Sequence, residues 1–178
     1  MTHPLHTFRY CPRCGAPGLQ HPPGHALHCP HCDLTYYHNV AAAVACIVLD
    51  DHGQILSVRR AREPAKGTLD LPGGFVEAHE TVEAAARREL HEETGLAPHA
   101  LRYLFSLPNP SPYSGIDVFT ADLFYLARVP DFHNARAADD AAALDIRPVA
   151  ALRAEDYGLA SIRAAVATLI REPTLLHP

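Results

Sequence analysis

What this chain has little of narrows its class before any motif is read. No apolar run among its 178 residues approaches the roughly 18 needed for a membrane-spanning helix, which excludes an integral helical membrane protein. Positive charge is scarce: 15 Lys and Arg stand against 20 Asp and Glu, for a formal net charge of -5. A duplex-binding surface carries a basic patch, so no general binding of duplex nucleic acid is expected. Neither an internal repeat nor a long low-complexity run is present, which argues against a solenoid or a disordered chain. The amino terminus lacks an apolar leader, so a cytoplasmic location is expected. With 48% hydrophobic and 20% charged residues, the chain can bury one core of domain size and carry a small appendage.

The most informative stretch runs from Gly74 to Leu96, GFVEAHETVEAAARRELHEETGL. Its alanine-rich composition favours a helix between Thr81 and Gly95, with Thr81 able to cap the start and Gly95 able to take the left-handed conformation that ends it. In that helix Glu89, Glu92 and Glu93 stand at i, i+3 and i+4, so their carboxylates fall within one arc of roughly 100°. No lysine on the same turn relieves the repulsion, and a divalent cation is the natural counter-charge; a solvated acidic face is the competing reading. The preceding Leu71-Pro72-Gly73-Gly74 tips the balance. Its glycines allow close backbone approach and leave a carbonyl free as a hard oxygen ligand, while Arg88 adds a fixed cation.

The full pattern of Gly74, Glu80, Arg88, Glu89, Leu90, Glu92, Glu93, Gly95 and Leu96 resembles the signature of the Nudix hydrolases, with every defining position filled. The resemblance implies an α+β fold, an α/β/α sandwich with a mixed β-sheet between helices. It also implies attack of water on a nucleoside diphosphate linked to another moiety, with magnesium or manganese as the working ion. Carried over by position, Glu89, Glu92, Glu93 and the Gly73 carbonyl are the implied Mg2+ or Mn2+ ligands, one glutamate doubles as the base, and Arg88 belongs to the catalytic set. Some members take their base from a later loop, for which Asp139 and Asp140 are the candidates here, with plain solvated charge as the alternative.

At the other end, Cys11-Pro12-Arg13-Cys14 and Cys29-Pro30-His31-Cys32 are two C-x-x-C pairs separated by fourteen residues, a zinc ribbon pattern. Disulfides or a redox dithiol are the other uses of such pairs, but the two are symmetric and lack a βαβ context. About 30 residues with so few large apolar groups cannot bury a core, so a structural Zn2+ would supply most of the folding free energy of this segment. His21, His25, His28 and His31 are spare imidazoles nearby, read as solvated loop residues, and Cys46 is read as small and buried. The expected division is a ribbon over 1–36 and a Nudix domain over 37–178.

Residues 40–49 and 54–60 read as strands joined by the turn Asp50-Asp51-His52-Gly53. Residues 101–107, 118–128 and 144–149 are further strand candidates, 135–143 a flexible alanine-rich loop, and 161–171 a helix with Ile162, Val166, Leu169 and Ile170 at helical spacing. A ribbon before a Nudix domain is similar to the NADH pyrophosphatases, which hydrolyse NAD(H) and, in some members, remove NAD caps from RNA. Tyr36-Tyr37 after the last cysteine matches their paired tyrosines. Segment 106–114 keeps both serines and all three prolines of their motif, but Leu107, Asn109 and Ser111 replace its Gln, Trp and Phe. The prolines predict an extended, polyproline-like wall.

The resemblance marks Tyr37 and Phe75 as substrate contacts, and Asn109 and Tyr113 are candidates from the altered segment. It makes NAD(H) the leading substrate, cleaved to nicotinamide mononucleotide and AMP. ADP-ribose, a nucleotide sugar, an oxidised nucleoside triphosphate or a non-catalytic sensor or partner-binding role are the alternatives. The larger domain that precedes the ribbon in those enzymes has no counterpart in this sequence, which leaves a homodimer open.

Overall fold

The computed structural model describes residues 3–113 and 115–177, with the side chains of 111–113 left out. Two units divide the chain: residues 1–41 with 110–120, and residues 42–109 with 121–178.

In the first unit, strands β1 (Ala26–His28) and β2 (Thr35–Tyr37) pair antiparallel, with Leu27 opposite Tyr36. Two equivalent turns carry the cysteines. Gly15 N–H donates to the Cys11 carbonyl and Asp33 N–H to the Cys29 carbonyl, each at 2.9 Å. The residue after each pair takes the left-handed conformation, Gly15 at φ 73° and Asp33 at φ 59°. Glycine adopts it freely, and aspartate is among the side chains that tolerate it.

The described residues form a mixed sheet of seven strands, all but residues 41 and 110–120 in the second unit: β3 (Ala41–Asp50), β4 (Gln54–Arg60), β5 (Leu69–Asp70), β6 (Gly73–Phe75), β7 (Ala100–Tyr113), β8 (Ile116–Val129) and β9 (Ala141–Pro148). The order β5-β4-β3-β8-β7 forms the main path, with β6 on β3 and β9 on β4. The β3–β4 hairpin is closed by Asp50, whose Oδ1 accepts from the N–H groups of His52 (2.9 Å) and Gln54 (2.7 Å). Away from that turn, β5 pairs with β4 (Val58 opposite Asp70) and β6 with β3 (Val44 opposite Gly74). The intervening Pro72 carbonyl accepts from Cys46 N–H at 2.7 Å. The glycine pair is thereby held against β3.

Alternation along β3 explains its unbroken apolar run. Val44, Cys46 and Val48 face one core with Ala85, Ala86 and Leu90 of helix α1 (Val82–Thr94); Ala45, Ile47 and Leu49 face the other with Ile162, Ala165, Val166 and Leu169 of helix α2 (Ala160–Arg171). Both faces of the sheet are covered, giving the expected α/β/α sandwich.

Three expectations need correction. The proline segment 106–113 is strand, the outer part of β7. Pro108, Pro110 and Pro112 are two residues apart, so their missing N–H groups fall on one edge, and β7 is terminal in the sheet order. The 135–143 segment is tied down rather than loose: Arg136 N–H donates to the Thr94 carbonyl, Ala138 N–H to the Glu93 carbonyl, and Ala141 already pairs with Arg60. Ile170 is exposed, because the buried stripe of α2 runs through Ile162, Ala165, Val166 and Leu169 and leaves it to one side.

Candidate active site

Helix α1 begins where the sequence requires it. Thr81 Oγ1 accepts from Ala84 N–H at 3.2 Å, and Gly95 at φ 73° closes the other end, its N–H donating to the His91 carbonyl at 2.7 Å. Ala85, Ala86 and Leu90 pin the apolar face to the sheet. That docking turns the acidic face toward the glycine loop. Glu93 is buried, 7% exposed, and its Oε2 accepts from Gly73 N–H at 3.3 Å. The Glu89 carboxylate lies against Gly74, so close that a Cβ at Gly74 would stand 2.6 Å from the Glu89 carboxyl carbon. Gly73 is glycine for a different reason, since its Cβ would strike the Val44 carbonyl and lie 2.9 Å from Ala45 Cα. In an extended residue N–H and C=O point to the same edge, so the Gly73 carbonyl faces the side on which Glu93 lies.

Charge within the cluster is shared unequally. Arg88 grips Glu80 with two bonds (Nη2 to Oε1 2.6 Å, Nε to Oε2 3.2 Å), and its Nη1 donates to Glu89 (2.8 Å) and Glu92 (3.0 Å) while Nη2 also donates to the Phe75 carbonyl (3.1 Å). Glu80 Oε1 in turn accepts from Glu77 N–H at 2.7 Å. No lysine relieves the cluster, as read from the sequence; the fixed cation of the motif, Arg88, is shared by Glu80, Glu89 and Glu92 and leaves Glu93 without an arginine partner. Burial, then Asp70, then Glu89 and Asp140 push the Glu93 carboxyl up to about 8, against the lowering effect of Gly73 N–H. Burial, with help from Glu92 and Asp139, also raises Glu89 against the lowering effect of Arg88. Two carboxylates with poor solvation and a backbone carbonyl beside them are a donor set that a hard divalent cation suits.

Ala138 N–H, bonded to the Glu93 carbonyl, anchors the Asp139-Asp140 loop to the end of α1. Asp140 pairs with Arg62 at 2.9 Å and Asp139 takes φ 50°. Phe75 is 57% exposed, so it is no part of the core, and Tyr37 in the ribbon unit is 60% exposed. Asn109 is half-buried in β7, and the Tyr113 side chain falls outside the described residues. Sequence reasoning missed Asp70, buried beside Glu93 and ion-paired with Arg60. A lone Asp in a two-residue strand gives no pattern to find.

The four ribbon cysteines converge, their sulfurs all within 4.8 Å of one another. Cys11 and Cys32 sulfurs are 3.6 Å apart and Cys14 and Cys29 sulfurs 3.8 Å apart, with all five cysteines free of disulfides. Two sulfurs at about 2.3 Å from a tetrahedral zinc lie ~3.8 Å apart, so the spacing fits a four-sulfur structural Zn2+ site. Burial raises the Cys11 thiol, but the N–H groups of Cys14 and Arg13, together with the side chains of Cys14 and Cys29, pull it down to about 6.

Comparison with known proteins agrees with this geometry. Residues 40–168 match the NUDIX domain model and residues 6–37 the NADH pyrophosphatase zinc ribbon domain model. The NAD-capped RNA hydrolase NudC of Deinococcus radiodurans is 36% identical over 119 residues, covering 65% of this chain and 42% of that protein. Its namesake from Edwardsiella ictaluri is 39% identical over 117 residues, covering 65% and 44%. The chain thus spans less than half the length of these curated relatives. A NUDIX hydrolase crystal structure from Nitrosomonas europaea superposes with a TM-score of 0.73 at 22% identity, covering 94% of this chain and 93% of that one. A bifunctional NMN adenylyltransferase/ADP ribose pyrophosphatase from Francisella tularensis, solved with AMP and a Mn ion, superposes at 0.59 with 24% identity, covering 76% and 42%. With its signature helix, glycine loop and family match over most of its length, this chain belongs to the NUDIX family.

Proposed function

We propose that this chain is a divalent-metal-dependent pyrophosphohydrolase whose leading substrate is NAD(H), cleaved to nicotinamide mononucleotide and AMP. The observation that carries the reading is the acid face of α1 packed on the glycine loop, with Glu93 buried at Gly73 and Glu89 against Gly74. Mg2+ or Mn2+, as Nudix hydrolases use, would be held by Glu89, Glu92, Glu93 and the Gly73 carbonyl. Bound there, the ion would screen phosphate charge and acidify a bound water. In the hydrolysis, the water oxygen bonds to one phosphorus of the diphosphate, the bond from that phosphorus to the bridging oxygen breaks, and the water proton passes to a carboxylate. A glutamate of α1 is the first choice of base, with Asp139 or Asp140 as the alternative.

Arg88 is a catalytic-site residue by position, held by Glu80, and it keeps Glu89 and Glu92 in place before metal arrives. Phe75, Tyr37, Asn109 and Tyr113 are the proposed contacts to the substrate's nucleoside parts; the exposure of Phe75 and Tyr37 supports that use. The division into a ribbon over 1–36 and a hydrolase domain over 37–178, a cytoplasmic location and no duplex nucleic-acid partner complete the reading, with a homodimer left open. No helix among the described residues is long and apolar enough to cross a membrane.

The test is hydrolysis of NADH, NAD, ADP-ribose, a nucleotide sugar and oxidised dGTP with magnesium or manganese. Release of nicotinamide mononucleotide and AMP supports the dinucleotide reading. Faster turnover of another substrate transfers the assignment to it, and nucleotide binding without turnover favours a sensor.

A further inference from the structure

The ribbon unit gathers imidazoles that the zinc cysteines leave unused, and they come from three separate segments. His3 stands before the short 3-10 turn Pro4–Thr7, His25 follows Gly24 in the loop before β1, and His38 follows β2. The His3 and His25 rings stack, with centroids 4.8 Å apart and planes 22° from parallel, and His3 Nε2 lies 2.9 Å from His25 Nδ1. The His38 ring meets His3 edge-on at 5.5 Å, and His38 N–H donates to the His25 carbonyl at 2.9 Å. His25 takes φ 58°, an uncommon backbone for a residue with a side chain. His38 Nε2 is the one buried side-chain nitrogen or oxygen among the described residues without a hydrogen-bond partner. A buried polar atom left unsatisfied is costly, and three imidazoles packed together with no carboxylate paired to them among the described residues repel one another once protonated.

We propose that His3, His25 and His38 form a second metal site on the ribbon, for a borderline divalent transition ion such as Zn2+, Ni2+ or Co2+. Imidazole nitrogens suit these ions, and two nitrogens at about 2.05 Å from a tetrahedral ion lie ~3.3 Å apart, close to the His3–His25 separation. Imidazole nitrogen suits these ions better than magnesium or calcium, which prefer oxygen ligands. Binding requires the His38 ring to turn its Nε2 toward the stacked pair, which gives that atom the partner it lacks. Coordination through His3 Nε2 puts the ring proton on Nδ1, so the 3.4 Å bond that Nδ1 accepts from Leu5 N–H opens. The turn survives this, because His6 N–H still donates to the His3 carbonyl (2.9 Å) and Phe8 N–H to the Leu5 carbonyl (3.2 Å). His6 and His21, whose rings lie 4.8 Å apart, flank the site and supply a fourth ligand from His6, 5.9 Å from His3.

The experiment loads the full chain with one equivalent of zinc, holds the carboxylate site of α1 filled with a large excess of Mg2+, and titrates with Co2+, following bound zinc and cobalt per chain and the visible spectrum. The expected result is a second equivalent with d–d bands and no sulfur-to-cobalt charge transfer. It disappears in both His25→Gln and His38→Gln, while the first zinc is retained and shows that the ribbon is folded. A single metal per chain in the unmodified protein overturns the proposal, as does a second equivalent that both variants keep.

Discussion

Replacing Gly74 by alanine separates the placing of Glu89 from the folding of the chain. The new Cβ would lie 2.6 Å from the Glu89 carboxyl carbon and 2.8 Å from its Oε2, whereas nonbonded heavy atoms settle at about 3.5 Å. One of the two must yield by about 1 Å, and the atoms concerned are the far end of a flexible side chain. The carboxylate therefore retreats at a stability cost under ~1 kcal/mol. A misplacement of that size in a catalytic site lowers turnover by roughly 100-fold. The assay pairs the hydrolysis rate on the best substrate, at saturating Mn2+, with thermal unfolding. A Gly74→Ala protein of unchanged melting temperature and much reduced rate is the expected outcome. Full activity would refute the claim that Glu89 acts from its position against Gly74.

The neighbouring Gly73→Ala should behave in the opposite way. Its Cβ meets Val44 and Ala45 backbone, so β6 must leave β3; a loss of ~3 kcal/mol, seen as a fall of about 6 to 12 °C in melting temperature, is expected. Cys29→Ser should release the ribbon zinc, measured by metal analysis, and increase proteolysis of residues 1–41 while the unit of residues 42–109 and 121–178 keeps its unfolding transition. Glu93 predicts a pH effect in metal-free protein. A carboxyl at about 8 in the folded state against 4.5 ordinarily binds its proton more tightly when folded, so the Glu93 contribution to stability is full below 4.5 and is lost as pH rises from 4.5 to 8. At about 1.4 kcal/mol per pH unit the ceiling is ~5 kcal/mol. Denaturant melts of Glu93→Gln should lack this decline, and an identical pH profile in both proteins would contradict it.

Legibility in the sequence followed locality. Thr81, Gly95 and the Glu89, Glu92, Glu93 spacing lie within one helix, whose period alone fixes their common face, and the C-x-x-C pairs carry their own turns. The limits of β4 and α2 were also readable, since apolar periodicity and the glycine turn at Gly53 bound them. Hidden features join distant segments. Asp70 comes beside Glu93 only because β5 and β6 insert between β3 and β4. Ser57 and Tyr157 share a buried 2.6 Å hydrogen bond across 100 residues. The prolines of 106–113 read as a free wall because one strand's sequence does not reveal which edge of the sheet it occupies. The histidines singled out by proximity in sequence were His21, His25, His28 and His31, whereas stacking selects His3, His25 and His38.

The central claim is that the buried carboxylate of α1 at the glycine loop drives metal-dependent hydrolysis of a pyrophosphate. Its most direct test is the turnover of Glu93→Gln beside the unmodified chain, on the substrate panel with Mg2+ or Mn2+. A folded variant with turnover reduced by at least roughly 100-fold and no rescue by added metal is expected. A variant as active as the unmodified chain would contradict it.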